Sequence, residues 1–79
     1  MDWNKKIAIL RQYETYCYRI CNYLLQREPL ASQAAKTALL NLGADMRFFM
    51  DSDETRKEKI LRTSIRASLL WRAKSDTLE

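Results

Sequence analysis

Histidine and valine are absent from this 79-residue chain, and glycine and proline occur once each. Without histidine, the commonest general base and metal ligand is missing. A single glycine cannot build the glycine-rich loop that cradles phosphate. The carboxylates cluster where helix ends are expected, so capping and charge balance account for them. No catalytic residue, metal or cofactor is therefore expected. The lack of valine, and of any stretch alternating apolar and polar residues between turn signals, argues against strands. Long apolar runs are missing too. After Lys6 only Ile7 to Leu10 precede Arg11, too short for a signal sequence or a membrane span, so a cytoplasmic protein with no membrane partner is expected. Cys17 and Cys21 fit that compartment as reduced thiols.

Apolar residues make up 47% of the chain and charged residues 30%, the balance of a folded helical domain rather than a disordered tail. One small domain is expected, whose side-chain core supplies roughly 3–5 kcal/mol at most, so a partner covering apolar surface would add to its stability.

Periodicity predicts an all-α, three- to four-helix bundle. Ile7, Leu10, Cys17, Ile20, Cys21 and Leu24 recur at helical spacing, with Trp3 at the leading edge, and predict one long amphipathic helix from Asn4 to about Gln26. It is expected to stop before Pro29, which pushes the preceding residue out of the helical region. A second helix is predicted from Leu30 to Leu42, burying Ala31, Ala34, Ala35, Ala38, Leu39 and Leu42. Alanines at this density let helix axes approach closely. Gly43 is the expected left-handed cap. A short turn at Asp45 to Met50 is expected to fold Met46, Phe49 and Met50 onto the core. Asp51, Ser52 and Asp53 form a capping cluster for a last helix running to about Lys74, beyond which the tail is expected to fray. Ile60, Leu61, Ile65, Leu69 and Leu70 are its predicted apolar side, and Lys59, Arg62 and Arg66 share its polar side.

Charge is unevenly placed. Residues 56–74 hold seven basic residues against Glu58 alone, a net +6 in a chain whose total is +4. Such a segment points to nucleic acid, an acidic protein or a membrane surface, although a solvated helix face has the same pattern. The aromatic residues carry two readings as well. Trp3, Phe48, Phe49 and the tyrosines are either core or a base-stacking platform, and Trp71 either closes the bundle or stands exposed beside Arg72. Cys17 and Cys21, four apart on one helix face, are half a metal site, a redox pair or small core residues.

The segment YCYRICNYLLQREPLASQAAKTALLNL, Tyr16 to Leu42, resembles the second conserved region of bacterial sigma factors, particularly the extracytoplasmic-function type. Tyr18 and Arg19 match the opening helix of that pattern, Leu24 and Leu25 its Leu-Leu pair, and Ala31 the alanine of its Ala-Glu-Asp-Leu-x-Gln-Glu element. ILRTSIRASLLWRAK is similar to the family's Trp-Leu-x-x-Ile-Ala-Arg-Asn helix, with Ile65, Arg66 and Ser68 near the Ile, Ala-Arg and Asn positions. The resemblance implies docking of the second helix on the clamp of the RNA polymerase largest subunit, where Gln33, Ala34, Ala35, Lys36 and Thr37 replace the family's acidic element. Gln33, Lys36 and Thr37 are its polar candidates. It further implies contact with promoter DNA through Lys59, Arg62, Arg66 and Trp71. The loop that captures a flipped promoter base in the family is here Met50 to Thr55, which holds three acids. No helix-turn-helix follows Lys74, so a separate sigma-like subunit is expected to read the upstream promoter element. The chain then looks like a stand-alone co-sigma subunit. The competing expectation is a region-two mimic that sequesters a sigma factor or another protein without touching DNA.

Overall fold

The computed structural model describes residues 2–78, which form four α-helices and one 3₁₀ turn, with no strand among them. The elements are α1 (Trp3–Gln12), α2 (Glu14–Leu25), α3 (Leu30–Gly43), the 3₁₀ turn (Met46–Met50) and α4 (Asp53–Leu78). At 1.5 Å per residue α4 is about 39 Å long, and it sets the long axis of a molecule measuring 43 × 22 × 17 Å. Helices α2, α3 and α4 pack on one another, while α1 lies against α2 and α3.

The expected first helix is two helices. Tyr13 leaves the helical path with φ −105° and ψ 3°, and its amide donates to the Leu10 carbonyl at 3.1 Å. The break lets the Tyr13 ring turn inward, where it meets Phe48 edge-on at 6.1 Å and its hydroxyl donates to Asp53 Oδ1 at 2.5 Å. Helix α1 contributes no fully buried residue, and Trp3 stands in solvent. Helix α2 buries Cys17, Cys21 and Leu25, so Leu25 takes the place expected of Leu24.

Helix ends also differ from expectation. The left-handed residue is Gln26 (φ 54°), which caps α2 three positions before Pro29, whereas Gly43 has a negative φ. Helix α3 closes instead through the Ala44 amide, which donates to the Leu40 and Asn41 carbonyls at 3.2 Å. In the 3₁₀ turn Phe48 and Phe49 are the buried pair, and Met46 and Met50 point to solvent. Helix α4 starts where the capping cluster predicts, with the Thr55 amide donating to Ser52 Oγ at 3.2 Å. It continues past Lys74 to Leu78, while Glu79 lies outside the described residues.

The core is a seam of small side chains. Ala31, Ala34, Ala35 and Ala38 of α3 are buried, as their spacing predicts, and face Cys17 and Cys21 of α2 and Ser64, Ala67 and Ser68 of α4. Ser64 Oγ lies 3.2 Å from Cys17 Sγ. Only Ile60 of the expected apolar side of α4 is buried. Leu61, Ile65, Leu69 and Leu70 are exposed, because residues 60, 64, 67, 68 and 71 form the inward stripe and the leucines fall beside it. Backbones that approach across alanine and serine leave no volume there for leucine.

Two substitutions separate the inward stripe from the outward one. Ala67→Leu overfills the seam and is expected to cost about 1–3 kcal/mol in urea unfolding, whereas Leu61→Ala should stay within about 0.5 kcal/mol. The reverse ranking would reassign the faces of α4. Gln26→Gly removes the left-handed penalty of a residue with a Cβ, and a gain of about 1 kcal/mol would raise the thermal midpoint by roughly 4–8 °C.

Candidate functional site

Seven cations line residues 56–74, and most of them hold the fold together. The Arg56 guanidinium donates from Nε to the Phe48 carbonyl at 3.0 Å and from Nη2 to the Phe49 carbonyl at 2.8 Å, which ties the 3₁₀ turn to α4. Lys57 pairs with Asp53 at 3.5 Å one turn back. Lys59 bridges two acids, reaching Asp51 Oδ2 at 2.5 Å and Asp45 Oδ2 at 3.0 Å. Arg72 donates to the Leu24 carbonyl, and the Lys74 ammonium sits 4.7 Å from the Trp71 ring centre. Arg62 and Arg66 are exposed and have no such partner among the described residues.

These two arginines border a shallow pocket of about 350 Å³ between α3 and α4, with Asn41, Leu42, Asp45, Lys59 and Thr63 as its other walls. Lys59 belongs to this pocket, but its charge is already spent on Asp45 and Asp51. The Lys59 ammonium, as a hydrogen-bond donor, holds the Asp45 carboxyl below its ordinary value of 3.8, and the Arg47 amide adds to this at 3.0 Å. The two acids in turn, Asp51 first, hold Lys59 above its ordinary 10.5. The acidic loop from Met50 to Thr55 is thus partly neutralised from within.

Trp71 packs at the edge of the core, and its indole N–H donates to Thr37 Oγ1 at 2.9 Å. That bond decides between the two sequence-based expectations for Trp71 in favour of closing the bundle, and it engages Thr37 as well. Gln33 and Lys36 remain exposed on α3. Lys36 faces the other flank of the bundle, in a groove of about 340 Å³ shared with Glu14, Thr15, Tyr18, Ser32, Ala35 and Leu39. The expected site residues therefore divide. Arg62, Arg66 and Lys59 line one pocket, Trp71 is engaged with Thr37 at the edge of the core, and Gln33 and Lys36 are exposed on α3, Lys36 in a separate groove.

Cys17 and Cys21 are free thiols sealed in the seam. The hydrogen bond with Cys21, followed by burial, pushes the Cys17 thiol up, so it stays protonated. No group of three or more His, Cys, Asp or Glu that could hold a metal comes together among the described residues. No helix among them is long and apolar enough to cross a membrane.

One surface was not anticipated from sequence. Tyr16, Arg19, Ile20, Tyr23 and Leu24 of α2 and Leu61 and Ile65 of α4 line an open groove of about 490 Å³. The available signal was the spacing of four between Leu61, Ile65 and Leu69, which gives α4 a second apolar row beyond the one its core packing needs. No family model matches the chain, and comparison with curated proteins and with solved structures finds no match.

Acid titration tests the role given to Lys59. A carboxyl whose folded-state pKa is depressed contributes stability that is present above its unfolded value and lost as pH falls through the folded one. For Asp45 that loss lies below 3.8. The matching contribution of Lys59 is present below 10.5 and lost as pH rises through its raised value. Lys59→Met should lower the thermal midpoint at neutral pH and flatten its decline below about pH 4. A midpoint unchanged by the substitution would mean that the bridge contributes nothing.

Proposed function

We propose that this chain is a region-two-like subunit of the bacterial transcription machinery, one that binds a partner sigma subunit and polymerase core and touches promoter DNA through Arg62 and Arg66. The observation that carries this reading is the adjacency of two surfaces on α4. Arg62 and Arg66 keep their guanidinium groups free on one flank, and the exposed row Leu61, Ile65 and Leu69 runs directly beside them. One helix can then hold a phosphate backbone and a protein at the same time. The sequence resemblance agrees with the all-α frame, since Tyr16 to Leu42 form the packed pair α2 and α3. Guanidinium groups suit phosphate because they donate in a planar fork and stay charged. In this reading Lys59 and Trp71 position the DNA-facing flank rather than touching DNA, and Gln33 and Lys36 are the polar contacts for the polymerase clamp. Thr37, held by Trp71, fixes the angle between α3 and α4. The work is done by binding energy alone.

A second reading, sequestration of a sigma factor or another protein without DNA contact, draws on the same geometry. Gln33 and Thr37 stand where the resemblance places acids, Lys36 between them adds a positive charge, and Lys59 is neutralised by Asp45 and Asp51.

Promoter-length DNA and purified polymerase core distinguish the two. Under the first reading the chain increases open-complex formation by core plus the partner subunit. Arg62→Ala with Arg66→Ala should then weaken DNA binding and reduce the log-log salt slope by about 0.7–0.9 for each phosphate no longer neutralised. Open-complex formation unaffected by the double substitution would remove the DNA role, and inhibition by the unaltered chain would favour sequestration.

A further inference from the structure

We infer that the groove between α2 and α4 is a docking site for an acidic amphipathic helix of a partner protein. The inference rests on reading the chain as a subunit that works through another protein, and it is independent of the DNA contact assigned to Arg62 and Arg66.

The walls have the spacing that seats a helix. Tyr16, Ile20 and Tyr23 on α2 lie four and three residues apart, and Leu61 and Ile65 on α4 lie four apart, so each row keeps one face, and the exposed Leu69 continues the α4 row one turn beyond the groove. A helix laid in such a groove inserts side chains at positions i, i+3 or i+4, and i+7. The groove floor is closed by the seam, where Cys21 Sγ reaches the Ser64 carbonyl at 4.0 Å. The groove lining comes from α2 and α4 alone, and Tyr16, Tyr23, Leu61 and Ile65 stay exposed there. What stays open is large for so small a chain. Tyr23 is 77% exposed and Leu61 46%. Contiguous exposed apolar surface of this kind marks an interaction site rather than the scattered exposure of ordinary surfaces.

Charge selects among occupants. Arg19 lines the groove with a guanidinium that has no partner among the described residues. Lys57, paired with Asp53 on its own helix, stands over the Tyr16 ring at 6.0 Å at one end, and Arg72 is fixed to the Leu24 carbonyl at the other. Glu58, one turn before Leu61, is the single acid of the 56–74 segment. A second copy of this chain would set the Arg19 guanidinium, the cation that lines the groove, against another cationic groove rather than against acids. Single-stranded nucleic acid would find the phosphate partners but few stacking faces, since Ile20, Leu24, Leu61 and Ile65 are aliphatic. A helix with aliphatic anchors and flanking Glu or Asp satisfies both the walls and the rim.

The probe is a fluorescein-labelled helical peptide of about 18 residues, five turns, with leucines at i, i+3, i+4 and i+7 and glutamates between them, titrated with the full chain by anisotropy. A control peptide keeps the leucines and replaces every glutamate by lysine. The glutamate peptide should bind at least about tenfold more tightly than the lysine peptide. Ile65→Asp and Arg19→Glu, both at exposed positions and checked by circular dichroism, should each weaken it by about tenfold or more, while Arg62→Ala with Arg66→Ala should change it less than about threefold. Equal affinity for the two peptides, no binding at about 1 mM, or binding insensitive to Ile65→Asp overturns the inference. So does sedimentation showing a dimer that Ile65→Asp dissolves, or attachment to phosphatidylserine vesicles or oligonucleotide that Ile65→Asp abolishes. DNA binding abolished in the double arginine variant with peptide binding intact leaves this inference standing, and the opposite pattern removes it without touching the DNA role.

Discussion

Everything in this fold follows from how closely three helices approach across small side chains. Alanines 31, 34, 35 and 38 on α3, cysteines 17 and 21 on α2, and Ser64, Ala67 and Ser68 on α4 fill the seam. Interiors pack to nearly crystalline density, so a seam of such residues is satisfied only when the backbones lie close together. Close backbones shut leucine out. The stripe of α4 that enters the seam consequently carries Ser64, Ala67 and Ser68 between Ile60 and Trp71, and Leu61, Ile65, Leu69 and Leu70 lie on the outer surface. Ten large hydrophobic residues among the described ones, Leu61, Ile65, Leu69 and Leu70 of α4 with them, therefore stay exposed.

Larger side chains finish the ends of the seam rather than its middle. Tyr13, Phe48 and Phe49 form an edge-to-face aromatic cluster between the α1–α2 break and the 3₁₀ turn, with Arg56 pinning the turn's carbonyls. Trp71 does the same at the opposite end through Thr37. The Tyr13 hydroxyl draws the Asp53 carboxyl below its ordinary range and so links the helix break to the start of α4. These polar anchors consume most of the basic segment. What is left without a partner on α4 among the described residues is the pair Arg62 and Arg66, and beside them Leu61 and Ile65 stay exposed along the groove with α2.

Helix existence was legible in the sequence, because alanine spacing, the Ser52 capping cluster and the absence of valine all act locally. The stop before Pro29 was legible too, although Gln26 rather than the proline neighbour carries the left-handed turn. The break at Tyr13 was not, since nothing local ends a helix there and the reward is packing on Phe48 and a hydrogen bond to Asp53, some forty positions away. Site residues divide on the same line. Arg62 and Arg66 were legible as a basic pair on one face. That Lys59 is already paired depends on Asp45, fourteen residues distant and on a different element. The groove was missed because ranking residues by hydrophobicity assigns leucine to the core and serine to the surface, and helix proximity reverses that ranking here.

By itself the sequence determined an all-helical chain, the places where most helices begin and end, and a cluster of positive charge on the last of them. These properties reside in neighbouring residues and in a 3.6-residue period, both of which act without knowledge of the rest of the chain. Tertiary structure decided which stripe of α4 faces inward, which cations remain free and where apolar surface stays uncovered. Each of these depends on distances between elements remote in sequence. A helix carrying three usable stripes cannot choose among them until its neighbours set how near they come.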